Sequence, residues 1–501
     1  MGHRDVRGSH RRGRPKPAGS GATIETPPNE TFRRRTDRIL LKALRKPPLD
    51  VGADKIARAA HGALTLLQEM RTRSGAPLPV LLDPRADATS GEGRRSLLQL
   101  RSRPRFQGSR RSRAREVCSR MVRSTLIVLL CAAWLAGCKA EDPTSNIPPG
   151  ISEALDPTYA TAVDSGRVAA REQMASQNLP SVSVAVGRGG HVVWSESFGW
   201  ADLSLQTLAT PTTLYPVGSI SKSLTATAAG ILHERGMLDF DVPIQTYVPE
   251  FPEKRWPVTT AQLMGHIAGV HNYGADDALR EGGHCSGPRA GLDVIADDTL
   301  LWRPGERYRY SNYGFRLVGA VVEAAAGEPF LEFMDREVFD AMGMERSVPD
   351  LGEKTDPSRS TFYARGGFAT LRHAQPIDMS CAMAEGGFLS TPSELIRFGF
   401  AMLDAEILSR ETVDLFWRAQ RLASGAPTSY GYGWQVSRIT LGNDEDPTPM
   451  VGHGGSVVGG RASLLILPEE DMVVVSMTNT SADVSFLSRR LATFFRDTPQ
   501  G

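Results

Sequence analysis

Residues 217–227 are Val217-Gly218-Ser219-Ile220-Ser221-Lys222-Ser223-Leu224-Thr225-Ala226-Thr227, a turn of small residues that runs into an apolar, alanine-rich segment. In a helix that starts near Ser219, the side chains of Ser219 and Lys222 lie on one face of the first turn. A serine hydroxyl is a weak nucleophile near neutral pH and needs an adjacent base. Burial and the positive end of a helix dipole both lower the pKa of a lysine, which makes it such a base. The pair therefore predicts an activated serine.

An N-capping serine followed by a solvated lysine is the alternative interpretation of this pair. With average serine usage, one chance match of this kind in the chain has about even odds. The sequence has eight lysines, of which only Lys222 has a serine three residues earlier. Lys222 also stands in a run that is too apolar for a free surface lysine. This context favours the catalytic interpretation.

A second cluster, Tyr310-Ser311-Asn312, places a phenol and an amide side by side on a predicted turn. A tyrosine flanked by cationic groups can lose its proton more readily and act as a base. An asparagine can donate to and accept from a substrate amide. Tyr310 is therefore a candidate catalytic residue and Asn312 a candidate substrate-binding residue. A core tyrosine in a polar turn is the alternative.

A third cluster, His453-Gly454-Gly455-Ser456, has glycines directly after a histidine at the entry to a strand. Such glycines leave backbone N–H groups accessible to a bound ligand. Two N–H groups of this kind form an oxyanion hole, the loss of which costs about 3 kcal/mol or more in other enzymes. All four residues are candidates for substrate or oxyanion binding, and an ordinary turn histidine is the alternative.

Positive charge is concentrated in the first part of the chain. Residues 1–120 carry 28 Lys and Arg against 11 Asp and Glu, whereas residues 121–501 carry 30 against 45. A basic nucleic-acid-binding arm or a disordered tail would have this composition. We favour a third interpretation, in which translation starts at Met121 and residues 1–120 are not part of the protein. No nucleic-acid partner is then expected.

The residues after Met121 have the pattern of a secretion signal. A short basic region leads into the apolar residues 126–134, a run of signal-peptide length that is too short to span a bilayer. The next residues, Leu135-Ala136-Gly137-Cys138, resemble the processing box of bacterial lipoproteins. The resemblance implies a signal peptide over 121–137, a lipid on Cys138, and a mature protein attached to a membrane as a periplasm-facing lipoprotein of the cell envelope. The turn-forming residues 138–157 are then a tether.

Cysteine is sparse in the predicted mature chain, where Cys285 and Cys381 accompany Cys138. The first two could pair in an oxidising compartment, a point that one sequence leaves open. No cysteine or histidine spacing is typical of a metal site, so neither a metal nor another cofactor is expected.

The remaining residues, 158–501, predict a single α+β domain. Strand patterns lie near its start and its end, at 182–186, 191–198, 432–439, 461–467 and 472–479. Helical patterns are at 159–177, 219–236, 259–267, 316–326, 329–342, 392–403 and 486–495. The outer thirds are expected to form one antiparallel sheet covered by helices, with a mainly helical lobe beside it. The cleft between the two lobes is the expected site.

The three clusters, in this order, resemble the motifs of the serine β-lactamase, penicillin-binding protein and D,D-peptidase superfamily, in its class C-like branch. The resemblance extends over about residues 160–495. Further stretches look most like the mitochondrial branch of the family and its bacterial relatives; they are 239–244, 247–254, 266–270 and 385–391. The resemblance implies the β-lactamase/transpeptidase-like fold.

The resemblance also implies a role for each matching residue. Ser219 attacks a carbonyl and becomes acylated, while Lys222 and Tyr310 share the duties of general base and acid. Asn312 holds the substrate amide, and the backbone N–H groups of Ser219 and Ser456 form the oxyanion hole. The chain is accordingly expected to be a serine hydrolase.

His453 departs from the pattern, because enzymes that degrade penicillin usually have a lysine there. A histidine at this place resembles D,D-peptidases and D-aminopeptidases, which implies a peptide or peptidoglycan-type substrate, or another small molecule with a similar amide or ester. A β-lactamase or small-ester hydrolase on the same machinery is the first alternative. A receptor that acylates once and stalls, or a scaffold, is the second. The oligomeric state is left open.

The predicted start and lipidation have a direct test. Mass spectrometry of the native protein is expected to find an N-terminal peptide that begins at a lipid-modified Cys138 and no peptide from residues 30–115. Peptides from that range would contradict the proposed start at Met121.

Overall fold

The computed structural model describes residues 146–273, 283–352, 356–365 and 370–498. The predicted untranslated segment 1–120, the signal peptide 121–137 and Cys138 lie outside the described residues, so these assignments stay predictions. Among the described residues, no helix combines the length and the hydrophobicity needed to cross a bilayer.

An antiparallel sheet forms the centre of the domain, with the strand order β1-β3-β2-β13-β12-β11-β10 and with β4 paired to β3. Its strands are β1 (Ile151–Leu155), β2 (Ser181–Arg188), β3 (His191–Asp202), β4 (Thr207–Leu208), β10 (Gln435–Ile439), β11 (Thr448–Val457), β12 (Gly460–Leu467) and β13 (Met472–Thr478). The first and last parts of the chain thus meet where β2 pairs with β13. This is the composite sheet that the sequence predicts.

The central strands are buried on both faces. Successive side chains of a strand point to opposite faces, and in β13 Val474 packs into one apolar cluster while Val473 and Val475 pack into the other. Every residue of β13 is buried. The central strand therefore reads as a continuous apolar run and not as an alternating one.

The two faces are covered by different helices. The first face carries the N-terminal helix α1 (Ala160–Gln177) and the C-terminal helix α10 (Ser485–Arg496). Rings from this layer stack, with centroids 5.7 Å apart for Trp194 and Phe495. The second face carries α8 (Pro392–Leu403) and, beyond it, the helical lobe.

The helical lobe contains the remaining helices and several short strands. Its helices are α2 (Ser221–Glu234), α3 (Thr260–Met264), α4 (Asp293–Ala296), α5 (Asn312–Ala326), α6 (Phe330–Met334), α7 (Met383–Gly386) and α9 (Arg410–Phe416). The strands β5 (Tyr215–Pro216), β6 (Val348–Pro349) and β9 (Phe388–Ser390) form a small sheet, and β7 (Tyr363–Arg365) pairs with β8 (Leu371–His373). Helix α2 is almost entirely buried in this lobe.

The α+β architecture is confirmed, and the structure corrects three local expectations. The predicted tether 138–157 includes β1, which pairs with β3 and so belongs to the folded domain. The helix predicted over 329–342 is α6 continued by a π turn and a 3₁₀ turn. The strand predicted over 432–439 begins only at Gln435.

Cys285 and Cys381 form a disulfide between segments that are 96 residues apart in the sequence. The bond joins the residues that follow the undescribed segment 274–282 to the 3₁₀ turn Ser380–Ala382, directly before α7. It therefore restrains the chain next to Glu385, a residue of α7 that contacts Lys222 through its main chain.

Removal of this disulfide is expected to destabilise the domain, because a cross-link over a loop of this length restricts the unfolded chain. We expect the double variant Cys285→Ala with Cys381→Ala to lose about 2–4 kcal/mol of unfolding free energy. Denaturant unfolding monitored by tryptophan fluorescence measures this loss, with reductant-treated native protein as a second sample. An unchanged unfolding midpoint in both samples would contradict the prediction.

Candidate active site

The candidate nucleophile lies on a tight turn that leads into α2. Residues Gly218–Ile220 form a 3₁₀ turn, and Gly218 has a φ of 51°, in the left-handed region that favours glycine. A Cβ atom on Gly218 would lie 2.5 Å from the backbone nitrogen of Ser456. Glycine is therefore required for the turn to approach β11, and Ser219 is left partly exposed on that turn.

Lys222 is completely buried one turn further along the chain. Its Nζ atom lies 3.3 Å from Ser219 Oγ, 2.8 Å from Asn312 Oδ1 and 2.5 Å from the main-chain oxygen of Glu385. The structure thus brings together the predicted serine and lysine, and adds Asn312 from the second cluster. The alternative of a solvated surface lysine is excluded by this burial.

Burial lowers the pKa of Lys222 to about 7, although the nearby charge of Glu385 opposes this shift. A neutral amine has two N–H groups and one lone pair. The oxygens of Asn312 and Glu385 can only accept hydrogen bonds, so they take the two N–H groups. The lone pair is then directed at the hydroxyl of Ser219, which is the arrangement that a general base requires.

Tyr310 also reaches the nucleophile, with its phenol hydrogen-bonded to Ser219. Its ring lies against Lys222, with Nζ 5.0 Å from the ring centroid. Burial raises the pKa of Tyr310, and the nearby charge of Glu385 raises it further. The expectation that cationic neighbours ease its deprotonation is therefore wrong for the free site. Tyr310 keeps its proton and is suited to donate it.

His453 is buried, and its side chain belongs to the wall of the cavity that Ser219 and Tyr310 also line. It is 3% exposed, its Nδ1 lies 2.8 Å from the carbonyl oxygen of Gly454, and its Nε2 lies 2.7 Å from the phenol oxygen of Tyr430. Because a carbonyl only accepts, Nδ1 carries the proton and Nε2 accepts from Tyr430. Burial and the charge of Lys222 lower the pKa of His453 to about 3, so the ring is neutral.

Both ring nitrogens are occupied within the protein, and the predicted binding role of His453 stays a prediction. The ring forms part of an aromatic wall with Tyr310 and Tyr430. A lysine at this place would present a charge, whereas His453 presents none.

The glycines after His453 bring β11 against the nucleophile turn. A Cβ atom on Gly455 would lie 1.8 Å from the carbonyl oxygen of Val217, so this position admits no side chain. Gly454 is exposed, and a Cβ atom there would meet nothing within 4 Å. The close approach places the backbone nitrogen of Ser456 beside Gly218, next to Ser219, as an oxyanion hole formed by the N–H groups of Ser219 and Ser456 requires.

Glu385 and Arg316 form a buried ion pair that the sequence analysis missed. They are 2% and 1% exposed, and Arg316 Nη2 lies 2.8 Å from Glu385 Oε1. The phenol of Tyr273 donates a further hydrogen bond to the same carboxylate. The pair fixes α7, and with it the main-chain oxygen that accepts from Lys222. The available signal was Arg316, a charged residue within the otherwise apolar residues 315–322.

His266 was not predicted as a site residue either. In the sequence it stands only within the stretch 266–270 that resembles the family. Its ring is buried, with its centroid 4.3 Å from that of Tyr310. Nδ1 accepts a hydrogen bond of 3.2 Å from the backbone nitrogen of Ser311. His266 therefore positions the segment that carries Tyr310 and Asn312. Burial and the charge of Lys222 lower its pKa, so this ring is neutral too.

A cavity of about 400 Å³ opens in front of Ser219 and Tyr310 and continues along β11. Beyond Gly452, the last residue of β11 to pair with β10, residues 453–457 have β12 as their one strand partner among the described residues. Arg461, Asp483 and Arg489 also line the cavity. Within the described chain, no group of three or more His, Cys, Asp or Glu residues is arranged to hold a metal ion.

The sequence profile of the Beta-lactamase family matches residues 168–494. The chain belongs to this family. It is 28% identical over 400 residues to the human serine beta-lactamase-like protein LACTB, mitochondrial, covering 62% of this chain and 73% of that one. It is 26% identical to a D-aminopeptidase from Gluconobacter oxydans over 309 residues, 60% of this chain and 56% of that one.

A solved structure is similar as well. The octameric penicillin-binding protein homologue from Pyrococcus abyssi superposes with a TM-score of 0.58 at 26% identity, covering 66% of this chain and 77% of that one. The β-lactamase/transpeptidase-like fold expected from the sequence is thereby confirmed, and this family member is a serine β-lactamase-like hydrolase.

The rate of acylation is expected to rise with pH through about 7 and then to level off, because Lys222 must be neutral to accept the serine proton. The measurement is the rate of covalent labelling by a fluorophosphonate probe between pH 5 and pH 9, with intact mass as the readout. The variant Lys222→Arg, which cannot become neutral, is expected to lose labelling across this range. A flat profile for the native protein would contradict the assignment of Lys222 as the base.

The variant Glu385→Gln is expected to shift the midpoint of this profile to lower pH. The charge of Glu385 raises the pKa of Lys222, so its removal lowers that pKa, and the charge of Arg316, which Glu385 no longer balances, acts in the same direction. The double variant Glu385→Gln with Arg316→Met removes both charges and should shift the midpoint less. Circular dichroism checks that each variant is folded, and a midpoint that moves to higher pH would refute the argument.

Proposed function

We propose that this chain is a lipid-anchored serine hydrolase of the cell envelope. It cleaves an amide or ester in a peptide or peptidoglycan-type substrate through an acyl intermediate on Ser219. The observation that carries the proposal is the fully buried amine of Lys222, held 3.3 Å from Ser219 Oγ with both of its N–H groups directed elsewhere.

The chemistry proceeds in two stages. In the first, Ser219 Oγ bonds to the substrate carbonyl carbon while its proton moves to Lys222, and the N–H groups of Ser219 and Ser456 hold the oxyanion. The bond to the leaving group then breaks as Tyr310 donates its proton to that group, and Lys222 returns a proton to Tyr310. In the second stage, water attacks the acyl carbon while its proton moves to Lys222. The bond between the acyl carbon and Ser219 Oγ then breaks, and Lys222 returns that proton to Oγ, which restores both groups.

The edge of β11 supports a peptide-type substrate. An extended peptide adds to an exposed strand edge through main-chain hydrogen bonds, and residues 453–457 offer such an edge next to Ser219. Gly454 leaves the approach open. Arg489, which also lines the cavity, suits a carboxylate on the substrate, whereas Arg461 Nη2 lies 3.9 Å from Asp483 Oδ1. The name of the similar D-aminopeptidase, which acts on a peptide, points in the same direction.

The proposed location is supported by two observations. The processing box before Cys138 is typical of lipoproteins, and the bond between Cys285 and Cys381 is typical of an oxidising compartment. Because residues 1–145 are not described, the lipid anchor is part of the proposal.

The rival function is a β-lactamase or a penicillin receptor on the same residues. The similarity to a penicillin-binding protein homologue favours acylation by penicillin. The neutral His453 disfavours efficient hydrolysis, because it presents no positive charge to the carboxylate of a β-lactam. On this argument penicillin acylates Ser219 and is released slowly.

The test compares four substrates with the native protein and with Ser219→Ala, Lys222→Ala and Lys254→Ala. Lys254 is a matched control, because burial also lowers its pKa but it contacts Ala296 and not the site. We expect turnover of a D-Ala-D-Ala or D-amino acid peptide amide to exceed turnover of nitrocefin and of a short-chain p-nitrophenyl ester. Labelled penicillin, the fourth substrate, should form a slowly released adduct on Ser219.

The Ser219→Ala and Lys222→Ala variants should lose turnover, and Lys254→Ala should retain it. Efficient nitrocefin turnover without peptide cleavage would contradict the proposed peptide-type substrate and favour a β-lactamase. Full activity of Ser219→Ala would contradict the proposed acyl intermediate on Ser219.

A further inference from the structure

Three exposed leucines lie at the connection of β3 to β4, with Leu203 and Leu205 on the turn and Leu208 at the end of β4. Residues 203–208 are all exposed, and Leu205 is 74% exposed, with Leu203 at 37% and Leu208 at 39%. Large apolar side chains grouped in this way lose water contact favourably when an apolar phase covers them. The three leucines are therefore a candidate apolar docking surface.

The turn is held in place with its leucines directed outward. The backbone nitrogen of Leu203 donates to the phenol of Tyr363, and the nitrogens of Ser204 and Leu205 donate to Asp202 Oδ1. The hydroxyl of Ser204 lies 3.1 Å from His373 Nε2. These hydrogen bonds fix the backbone, so the exposure of the leucines is a property of the folded domain.

The chain enters the domain at the same end of the sheet. Strand β1 runs antiparallel to β3, with Ile151 opposite Ser197 and Leu155 opposite Trp194. Followed backwards from Ile151, the chain therefore runs toward the Asp202 end of β3. Arg171 anchors it there, since its Nη1 donates to the main-chain oxygen of Ile147 and its guanidinium lies 5.4 Å from the ring centroid of Phe198.

The distance to the predicted lipid is short. Seven residues separate Cys138 from Asn146, the first described residue. Even fully extended, this segment reaches about 28 Å. A lipid on Cys138 thus keeps the start of the described chain, at Asn146, within about this distance of the bilayer.

The positive charges beside the leucine turn also favour a membrane partner. The hairpin of β7 and β8, which contacts the leucine turn through Tyr363 and His373, exposes Arg365 and Arg372. Basic side chains beside an apolar tip match the anionic headgroups and the acyl region of a lipid surface.

We propose that the leucine turn, residues 203–208, docks on the membrane that holds the lipid of Cys138, so that the domain sits on the bilayer in one orientation. This inference rests on the lipid attachment in the proposed function. It adds a second membrane contact, and one acyl anchor with a second contact holds a protein more stably than an anchor alone.

The test uses the lipidated protein in vesicles of phosphatidylethanolamine and phosphatidylglycerol that contain a doxyl-labelled lipid as quencher. An environment-sensitive fluorophore is attached to Leu205→Cys or, as a matched control, to Leu155→Cys. Leu155 is also an exposed leucine, at 49%, but it lies at the opposite end of β1. We expect a blue shift and several-fold stronger quenching for the label at position 205 than at position 155.

Detergent-phase partitioning and intact mass report the lipid on Cys138 separately. Lipidated protein with equal, weak quenching at both positions would overturn the docking proposal and leave the anchor standing. Unlipidated protein that still shows quenching at position 205 would support the docking turn and refute the anchor. If the protein carries no lipid on Cys138 and shows no quenching at position 205, both the anchor and the docking turn are refuted. Peptide turnover by Leu205→Gln should be unchanged, because the turn lies outside the catalytic groups.

Discussion

The hydrogen bonds from Lys222 to two oxygens that can only accept are the interaction on which the site depends. They use the two N–H groups of the neutral amine and turn its lone pair toward Ser219. Burial makes this neutral form available near pH 7. An exposed lysine in the same sequence position would be charged and would offer no lone pair, so the reactivity of Ser219 follows from the packing around α2.

That packing is assembled from distant parts of the chain. Asn312 comes from the start of α5, and Glu385 comes from α7, which the disulfide and the ion pair with Arg316 hold in place. On the other side, Gly218 and Gly455 let the nucleophile turn and β11 approach each other without side chains between them. The sheet thus supplies the oxyanion site and the helical lobe supplies the base.

Much of this could be predicted from the sequence, because the family places its chemistry in short local patterns. Ser219 with Lys222, Tyr310 with Asn312, and the glycines after His453 each stand within a few residues of one another. The fold class followed from the order of strand and helix patterns. Strand β11 was harder to see, since glycine has a low strand propensity and the glycines here serve a close approach.

What the sequence could not provide depends on contacts between residues far apart in the chain. The proton of Tyr310 is retained because the folded lobe buries the phenol, which outweighs the cationic residues beside it in the sequence. His453 is neutral because the fold buries its ring, which lowers its pKa, and Tyr430, on another segment, donates a hydrogen bond to Nε2. Glu385 stands before a glycine pair in the sequence, and no local pattern links it to Arg316. The fold brings the two residues together as an ion pair.

The most direct test of this account is the protonation of Lys222 itself. The predicted mature chain has four lysines, Lys139, Lys222, Lys254 and Lys354, so NMR of protein labelled with ¹³C-lysine can follow each one through a pH titration. One resonance, absent from Lys222→Arg, is expected to titrate near pH 7. If the resonance of Lys222 instead titrates at the ordinary value of a lysine in water, the amine is charged at neutral pH and the proposed activation of Ser219 is contradicted.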